Sequence, residues 1–343
     1  MKLETLKAMS AEEQYGLFKR EERLFHFVKA GQLGRTDLLE LGQRADRIRA
    51  LGADEAGLRQ LNSLLPHKRV MLYFNQPSSR TFFSFMNACH ILGMRVCENR
   101  DPSLTSEKKG ESFADTICTF ASYTDMIIMR NSDNDAALKA VAALQDHSHT
   151  VPVVNAGSGT SEHPTQALLD IYTLMREFKE LGGIDGKKIL MAGDLARGRT
   201  VRSLSYLLAE FKDVELYFAA VPAFQMKDDI REFLTGRGIS FQDVDDMSEA
   251  LPEMDAVYMT RVQDEHDTSK GASAAVASSA FHFETAYLDR MKPGAVVLHP
   301  LPRREEIPPE VDADPRAGYW RQEENGMWAR AALIAAIFNA EIE

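Results

Sequence analysis

Val70-Met71-Leu72-Tyr73-Phe74, then Asn75-Gln76-Pro77, then Ser78-Ser79-Arg80-Thr81, then Phe82-Phe83-Ser84-Phe85-Met86: this stretch decides the fold. Its unbroken apolar run reads as a buried strand. The apolar residues that follow, Phe82, Phe83, Phe85, Met86, Cys89, Ile91 and Leu92, recur at helical spacing and stop at Gly93. The predicted unit is therefore strand, tight turn and helix, with Ser78, Ser79, Arg80 and Thr81 at the helix start. The first N–H groups of a helix have no intrahelical partners and the positive end of its dipole faces outward. Hydroxyls and a guanidinium placed there make an anion site, for which phosphate is the natural guest. The competing reading is an ordinary N-cap from Ser78 or Ser79 with Arg80 in solvent.

Outward from this turn the same grammar recurs. Residues 95–97 read as a second short strand, 111–123 as a helix, and 126–129 as a buried strand that delivers Arg130 at its end. A strand at 151–154, a loop at 155–159 and a helix from Pro164 to about residue 179 follow. Gly182-Gly183-Ile184-Asp185-Gly186 punctuates the chain and marks the boundary region. Beyond it come strands at 188–192, 215–219, 256–259 and 296–298, helices at 199–211 and 228–235, and a small-residue loop at 271–280. The last strand ends at His299-Pro300-Leu301-Pro302, where the prolines hold the backbone extended. Upstream, residues 1–66 are polar and helix-rich. Leu38, Leu41, Ala45 and Ile48 share a helical face, Thr36-Asp37 is the candidate cap, and Gly42 weakens the pattern. A final apolar helix at 329–338 reads as cut off by the polar residues 321–325. At 343 residues the chain exceeds one ordinary core. The predicted class is α/β, with two doubly wound parallel-sheet domains and polar residues at the carboxyl edges of the strands.

The net charge of −11 argues against a nucleic-acid footprint, so an anionic substrate must be drawn in by local arginines. No apolar run is long enough to cross a bilayer, and residues 1–29 are charged throughout; the cytoplasm is the expected location. The three cysteines, Cys89, Cys97 and Cys118, lack C-x-x-C spacing and are expected as buried, reduced thiols. His147 and His149 have no cysteine nearby to complete a metal set, and no metal is expected.

Further constellations carry chemistry. The run from Gly193 to Thr200 nearly spells the phosphate-cradling G-x-x-x-x-G-K-[ST] loop, with Arg199 in the lysine's place and Asp194 beside it. That leaves a nucleotide site as the rival to the reading in which Arg199 aims its fork at a carboxylate. Arg261 and Gln263 follow a strand end, where alternation would turn both toward one carboxylate; two surface side chains are the plain alternative. His163 precedes a helix, where an imidazole tends to stay neutral and can polarise a carbonyl, or can simply cap the helix. Lys108-Lys109, flanked by Glu107 and Glu111, reads as a solvated pair.

Taken in order, Ser78-Ser79-Arg80-Thr81, Lys109-Gly110-Glu111, Arg130, His163-Pro164-Thr165-Gln166, Arg199-Thr200, Arg261-Val262-Gln263 and His299-Pro300-Leu301-Pro302 form one series. It resembles the aspartate/ornithine carbamoyltransferase family from about residue 70 to 335, nearest to its aspartate-using catalytic chains. The resemblance implies transfer of the carbamoyl group of carbamoyl phosphate to L-aspartate, giving N-carbamoyl-L-aspartate and phosphate without a cofactor. It implies a carbamoyl-phosphate domain at 1–175, completed by a helix at about 322–343, an aspartate domain at 176–321, and the active site between them. The phosphate would sit on Ser78, Ser79, Arg80 and Thr81. Thr81, Arg130 and His163 would face the carbonyl oxygen and Gln166 the amino group; Arg80, Thr81, Arg130 and His163 would be catalytic. Thr105 and Lys109 would reach a neighbouring subunit's site, which makes a homotrimer with shared sites the expected assembly and leaves room for regulatory chains. Lys109, Arg199, Arg261, Gln263 and Leu301 would hold aspartate, and Pro300 and Leu301 would offer backbone carbonyls to carbamoyl phosphate. The chain departs from the family pattern at Ser79, where threonine is usual, at Phe82, where arginine is common, and at Thr105, Asn75-Gln76 and His266.

Overall fold

A computed structural model describes residues 2–101, 110–263 and 282–342. The chain divides into two units, Met1–Leu168 with Gly326–Glu343, and Leu169–Asn325.

In the first unit, β1 (Lys19–Arg20) and β2 (Arg23–Leu24) form a small antiparallel hairpin. The main sheet holds β3 (Arg69–Phe74), β4 (Arg95–Asn99), β5 (Met126–Asn131) and β6 (Val153–Ser158), all parallel, in the order β4-β3-β5-β6. The second unit holds β7 (Lys188–Ala192), β8 (Glu215–Ala219), β9 (Ser240–Val244), β10 (Ala256–Met259) and β11 (Val296–Leu298), parallel in the order β11-β10-β7-β8-β9. The central strands are nearly continuous apolar runs because both faces of a parallel sheet are covered. Each sheet reverses its direction of growth once, between β3 and β5 and between β7 and β10. At such a point the two connections leave in opposite directions and open a crevice at the carboxyl ends.

The edges are treated unequally. β4 and β9 are the exposed edges, with only exposed and half-buried residues. At the far edge of the first sheet Phe27 pairs in parallel with Val154; its N–H donates to the Val153 carbonyl (2.9 Å) and its carbonyl accepts from Asn155 N–H (2.8 Å). On the second sheet Ala317 bridges to Val297 in the same way. The segments ahead of Phe27 are part of the core: Leu6 and Phe18 are fully buried in one cluster with Tyr73, Ile127 and Val141. The C-terminal residues close the first unit elsewhere. Arg330 Nη1 donates to Ser84 Oγ (2.6 Å) and lies over the Phe85 ring, Lys68 lies over Phe338, and Arg44 Nη1 donates to the Ala340 carbonyl (2.6 Å).

Several expectations change. The last helix runs unbroken over Tyr319–Ile337, so residues 321–325 do not interrupt it. Their polar members turn inward: Gln322 Nε2 donates to Asp170 Oδ1 (2.6 Å) and Asn325 Nδ2 to Thr173 Oγ1 (3.1 Å). The helix Ala136–Asp146 was not expected, because it is apolar nearly all round and carries no helical period. His147 is merely its C-cap. β9 escaped because Ser240-Phe241-Gln242-Asp243-Val244 is too polar to read as a core strand. Gly42 stays inside the helix Arg35–Leu51, with Asp37 closing its start by accepting from Gly34 N–H (3.0 Å). Cys89 is buried and burial pushes its thiol up, but Cys97 is exposed on the edge strand β4 and Cys118 is only half-buried.

His26 supplies a pH-dependent term. Its Nδ1 accepts from Val153 N–H (3.1 Å), and burial pushes its pKa down to about 3. Between about pH 6.5 and pH 3 the unfolded chain binds the proton that the folded one refuses, so this contribution is lost as pH falls. Stability should drop by about 1.4 kcal/mol per pH unit from this group, and His26→Gln, which keeps an acceptor, should flatten that slope in denaturant titrations at about pH 7, 6 and 4.5.

Candidate active site

The turn at 75–78 lies between strand and helix, as the sequence predicts. The helix Ser79–Ile91 begins directly after β3, with Ser78 at the N-cap position in extended conformation, and Ser78 makes no side-chain cap hydrogen bond. The plain N-cap reading is therefore not realised by Ser78. Thr81 is buried, Ser78 half-buried, and Ser79 and Arg80 exposed. Arg130 stands beside Phe74 in register at the end of β5, across the switch point. Its carbonyl accepts from Asn75 N–H (2.9 Å) and Gln76 N–H (3.4 Å), which ties the approach to the turn onto β5.

The connection after β6 brings in the histidine. Arg130 Nη1 lies 3.3 Å from His163 Nε2 and 3.4 Å from the Ala156 carbonyl, and both side chains are buried. A guanidinium can only donate, so Nε2 accepts and the ring's own proton sits on Nδ1. Gln166 is buried in the first turn of the helix Pro164–Glu177. Elements from three strand exits thus converge: the turn after β3, Arg130 from β5 and His163 from beyond β6. Arg100, just past β4, lies with its guanidinium 4.1 Å from the centroid of Phe82, on the helix that starts at the turn. A cation thus stands over the position where the family pattern carries arginine. Thr105, Lys109 and His266 lie outside the described residues.

The second unit makes its own cluster at the β7–β10 switch. Arg199 is the first residue of the helix Arg199–Leu208. Five N–H groups of the loop ahead of it are spent on the protein's own acceptors, which argues against a phosphate cradle. Gly193 N–H donates to Ala219 (3.1 Å), Leu195 and Ala196 N–H to Phe224 (both 2.9 Å), Arg197 N–H to Asp194 Oδ1 (3.1 Å) and Gly198 N–H to the Asp194 carbonyl (3.1 Å). Asp194 is fully buried; it also pairs with Arg197 (2.7 Å) and accepts from Gln263 N–H (3.1 Å). The acid that made a nucleotide site awkward is thus the tie between the loops leaving β7 and β10. β10 ends at Met259, and Arg261 and Gln263 lie half-buried in its irregular exit, with Arg261 Nη1 donating to the Val262 carbonyl (3.0 Å).

Pro300 and Leu301 are held by a buried polar chain. Leu301 N–H donates to His299 Nδ1 (2.8 Å), so Nε2 carries the ring proton and donates to Glu306 Oε1 (2.7 Å). Burial holds His299 below the ordinary imidazole range, and the contact with His299 draws the Glu306 carboxyl down against its own burial. His299 N–H donates to Gln322 Oε1 (2.9 Å), Gln322 to Asp170, and Asp170 Oδ2 accepts from Tyr258 Oη (2.7 Å). Burial and the Asp170 carboxylate keep the Tyr258 hydroxyl protonated. Leu301 itself has φ 51°, a conformation rare for a residue with a Cβ. Among the described residues no group of three or more His, Cys, Asp or Glu is placed to hold a metal ion.

Two family models match the chain. Residues 26–176 match the carbamoyl-P binding domain, and residues 185–337 the Asp/Orn binding domain, of aspartate/ornithine carbamoyltransferase. The chain belongs to the aspartate/ornithine carbamoyltransferase family. It is 44% identical over 262 residues to the chloroplastic aspartate carbamoyltransferase of Arabidopsis thaliana, a match that covers 76% of this chain and 65% of that one. It is 38% identical to the aspartate carbamoyltransferase catalytic subunit of Vibrio cholerae, over 92% of this chain and 97% of that one. Among solved structures it resembles the aspartate transcarbamoylase of Trypanosoma cruzi in complex with N-(phosphonacetyl)-L-aspartic acid. That likeness has a TM-score of 0.82 and 35% identity over 91% of this chain and 95% of the other.

Sequence reasoning missed the supports: Asp170, Asp194, Tyr258, Glu306 and Gln322. Asp170 did carry a signal, as a lone acid within Leu168-Leu169-Asp170-Ile171-Tyr172. Gly193 shows how tightly this architecture is drawn. Its φ is 110° and an added Cβ would fall 2.2 Å from the Thr260 carbonyl oxygen. Gly193→Ala should therefore destabilise the fold by on the order of 2–3 kcal/mol. Comparing denaturant midpoints of the two proteins checks this; equal midpoints would contradict the close approach.

Proposed function

We propose that the chain transfers the carbamoyl group of carbamoyl phosphate to the amino group of L-aspartate, giving N-carbamoyl-L-aspartate and phosphate in pyrimidine biosynthesis. The family membership, with relatives and solved neighbours that are aspartate carbamoyltransferases, supports this acceptor. The observation that carries the site assignment is the meeting of Arg130 and His163 at 3.3 Å beside the turn Ser78-Ser79-Arg80-Thr81.

In this reading the turn and the helix start bind the phosphate, with Thr105 and Lys109 completing it from outside the described residues. Thr81, Arg130 and His163 face the carbonyl oxygen, and Gln166 the amino group. Arg199, Arg261, Gln263 and Lys109 take the carboxylates of aspartate, with Leu301 beside them; Pro300 and Leu301 also turn carbonyls toward carbamoyl phosphate. The amine attacks the carbamoyl carbon, a C–N bond forms, and negative charge grows on the oxygen. Fixed donors aimed at that oxygen lower the barrier, each contributing about 3 kcal/mol. The C–O bond to phosphate then breaks, and the departing phosphate takes the amine's proton. No cofactor is needed. Much of the acceleration comes from holding two anions together that repel each other in water.

A ureido-product assay should show turnover with carbamoyl phosphate and aspartate and none with ornithine; no turnover with aspartate removes the reading. Arg80→Ala should lower kcat/KM on the order of 100- to 1,000-fold with the circular dichroism spectrum unchanged.

The assembly we propose is a homotrimer in which Lys109 serves a neighbouring subunit's site. Mixing inactive Lys109→Ala chains with inactive Arg80→Ala chains should then restore part of the activity; confirmed mixed oligomers that stay inactive refute sharing. The location we propose is the cytoplasm, which suits three free thiols. The relatives in Arabidopsis thaliana and Oryza sativa are chloroplastic aspartate carbamoyltransferases.

A further inference from the structure

His163 is carried on a short connection between β6 and the helix Pro164–Glu177, and its surroundings show what holds it. Inside the connection, Ser158 N–H donates to the Glu162 carbonyl (3.1 Å), Gly159 N–H to the Asn131 carbonyl (2.9 Å) and Thr160 N–H to Asn134 Oδ1 (2.9 Å). Asn155, buried at the heart of β6, collects Gly157 N–H (2.8 Å) and Ser158 Oγ (3.0 Å) on its Oδ1.

The remaining ties come from more than a hundred residues upstream, where Phe27 lies against β6. Asn155 Nδ2 donates to the Val28 carbonyl (2.9 Å), and Glu162 Oε2, on the residue just before His163, accepts from Ala30 N–H (2.8 Å). The upstream segment is itself braced. Gln32 Oε1 accepts from Val28 and Lys29 N–H (2.8 and 3.0 Å) while its Nε2 donates to the His26 carbonyl (2.6 Å). It is therefore a stiff strap with two clamps, one on the strand that leads to the connection and one beside the histidine.

We propose that residues 26–32 fix the orientation of His163, with Asn155 and Glu162 as its positioning residues. This rests on the role assigned to His163 above. The peptide joining Glu162 to His163 sets the direction in which the imidazole leaves the backbone. Glu162 anchored to Ala30 cannot let that peptide swing. Neither positioning residue touches the substrate in this scheme, so their loss should slow the chemical step and leave the phosphate turn intact.

The test uses the full-length enzyme. Glu162 is half-buried, so truncating it leaves the core whole. Glu162→Ala should lower kcat about 10- to 100-fold, the scale expected when a catalytic group shifts by about 1 Å. KM for carbamoyl phosphate and inhibition by inorganic phosphate should stay within about twofold, because the turn is untouched. Glu162→Gln keeps an acceptor for Ala30 N–H and should restore most of the rate. The donor can be removed from the other side with Ala30→Pro: Ala30 is the first residue of a short helix, and Lys29 before it is extended (φ −125°, ψ 145°), as a residue preceding proline must be. In the Glu162→Ala background this second change should cost nothing further. His163→Ala is the reference. Undiminished kcat there removes the catalytic role of His163 and leaves the strap a structural feature. A large loss there, with Glu162→Ala at full rate or Glu162→Gln no better than Glu162→Ala, overturns the strap proposal while the site assignment stands. If Ala30→Pro alone fails to fold, the Glu162 pair still decides.

Discussion

Each sheet of this chain changes direction once, and both candidate clusters lie at that change. Parallel strands all leave by the same edge, and their connections must cross to one side or the other. Between β3 and β5, and again between β7 and β10, the connections part and open a crevice at the strand ends. Arg80 and Arg130 belong to the first gap, Arg199 and Arg261 to the second. The placement follows from strand order before any side chain is considered. Local hydrogen bonds then exploit it: the N–H groups of Asn75 and Gln76 donate to the Arg130 carbonyl in one unit, and the Asp194 carboxylate accepts from Gln263 N–H in the other.

The net charge of −11 makes local placement of cations decisive for a chain that handles anions. An exposed arginine in such a field is readily screened, whereas a buried one is not. Arg130 is buried and cannot shed its proton, so it carries a fixed positive charge into the sheet edge. Its donation to His163 also dictates which imidazole nitrogen holds hydrogen. Electrostatics and tautomer are thus set by one contact. His299 obeys the same logic with reversed nitrogens, because a backbone N–H occupies Nδ1 and Glu306 waits at Nε2.

Much of the fold was legible because parallel central strands are short apolar runs bounded by polar exits. The strands at Val70, Met126, Lys188, Glu215, Ala256 and Val296 all announce themselves so. What stayed hidden had lost its contrast. The helix Ala136–Asp146 is buried on almost every side and shows no polar face, β9 is half-solvated, and the amides of Gln322 and Asn325 look like surface until their partners are known. The candidate site was legible in its arginines, Arg80, Arg130, Arg199 and Arg261, and in His163, because strand exits are recognisable. It was illegible in its supports. Asp194 and Glu162 act through Gln263 and Ala30, at sequence separations of 69 and 132 that no local pattern encodes. The loop at Gly193 shows the limit best: its spelling approaches a phosphate cradle, while five of its N–H groups already donate to acceptors of the protein itself.

The first unit is discontinuous, since residues 326–343 belong with residues 1–168 while the second unit is a single stretch. A chain emerging from the ribosome therefore begins one unit, completes the other, and only then delivers the residues that lie against Ser84, Phe85 and Lys68. Residues 1–168 wait for these contacts while the whole second unit is made. Synthesis of residues 326–343, not of the sheet, sets the moment at which the helix Ser79–Ile91 gains the cover of Arg330.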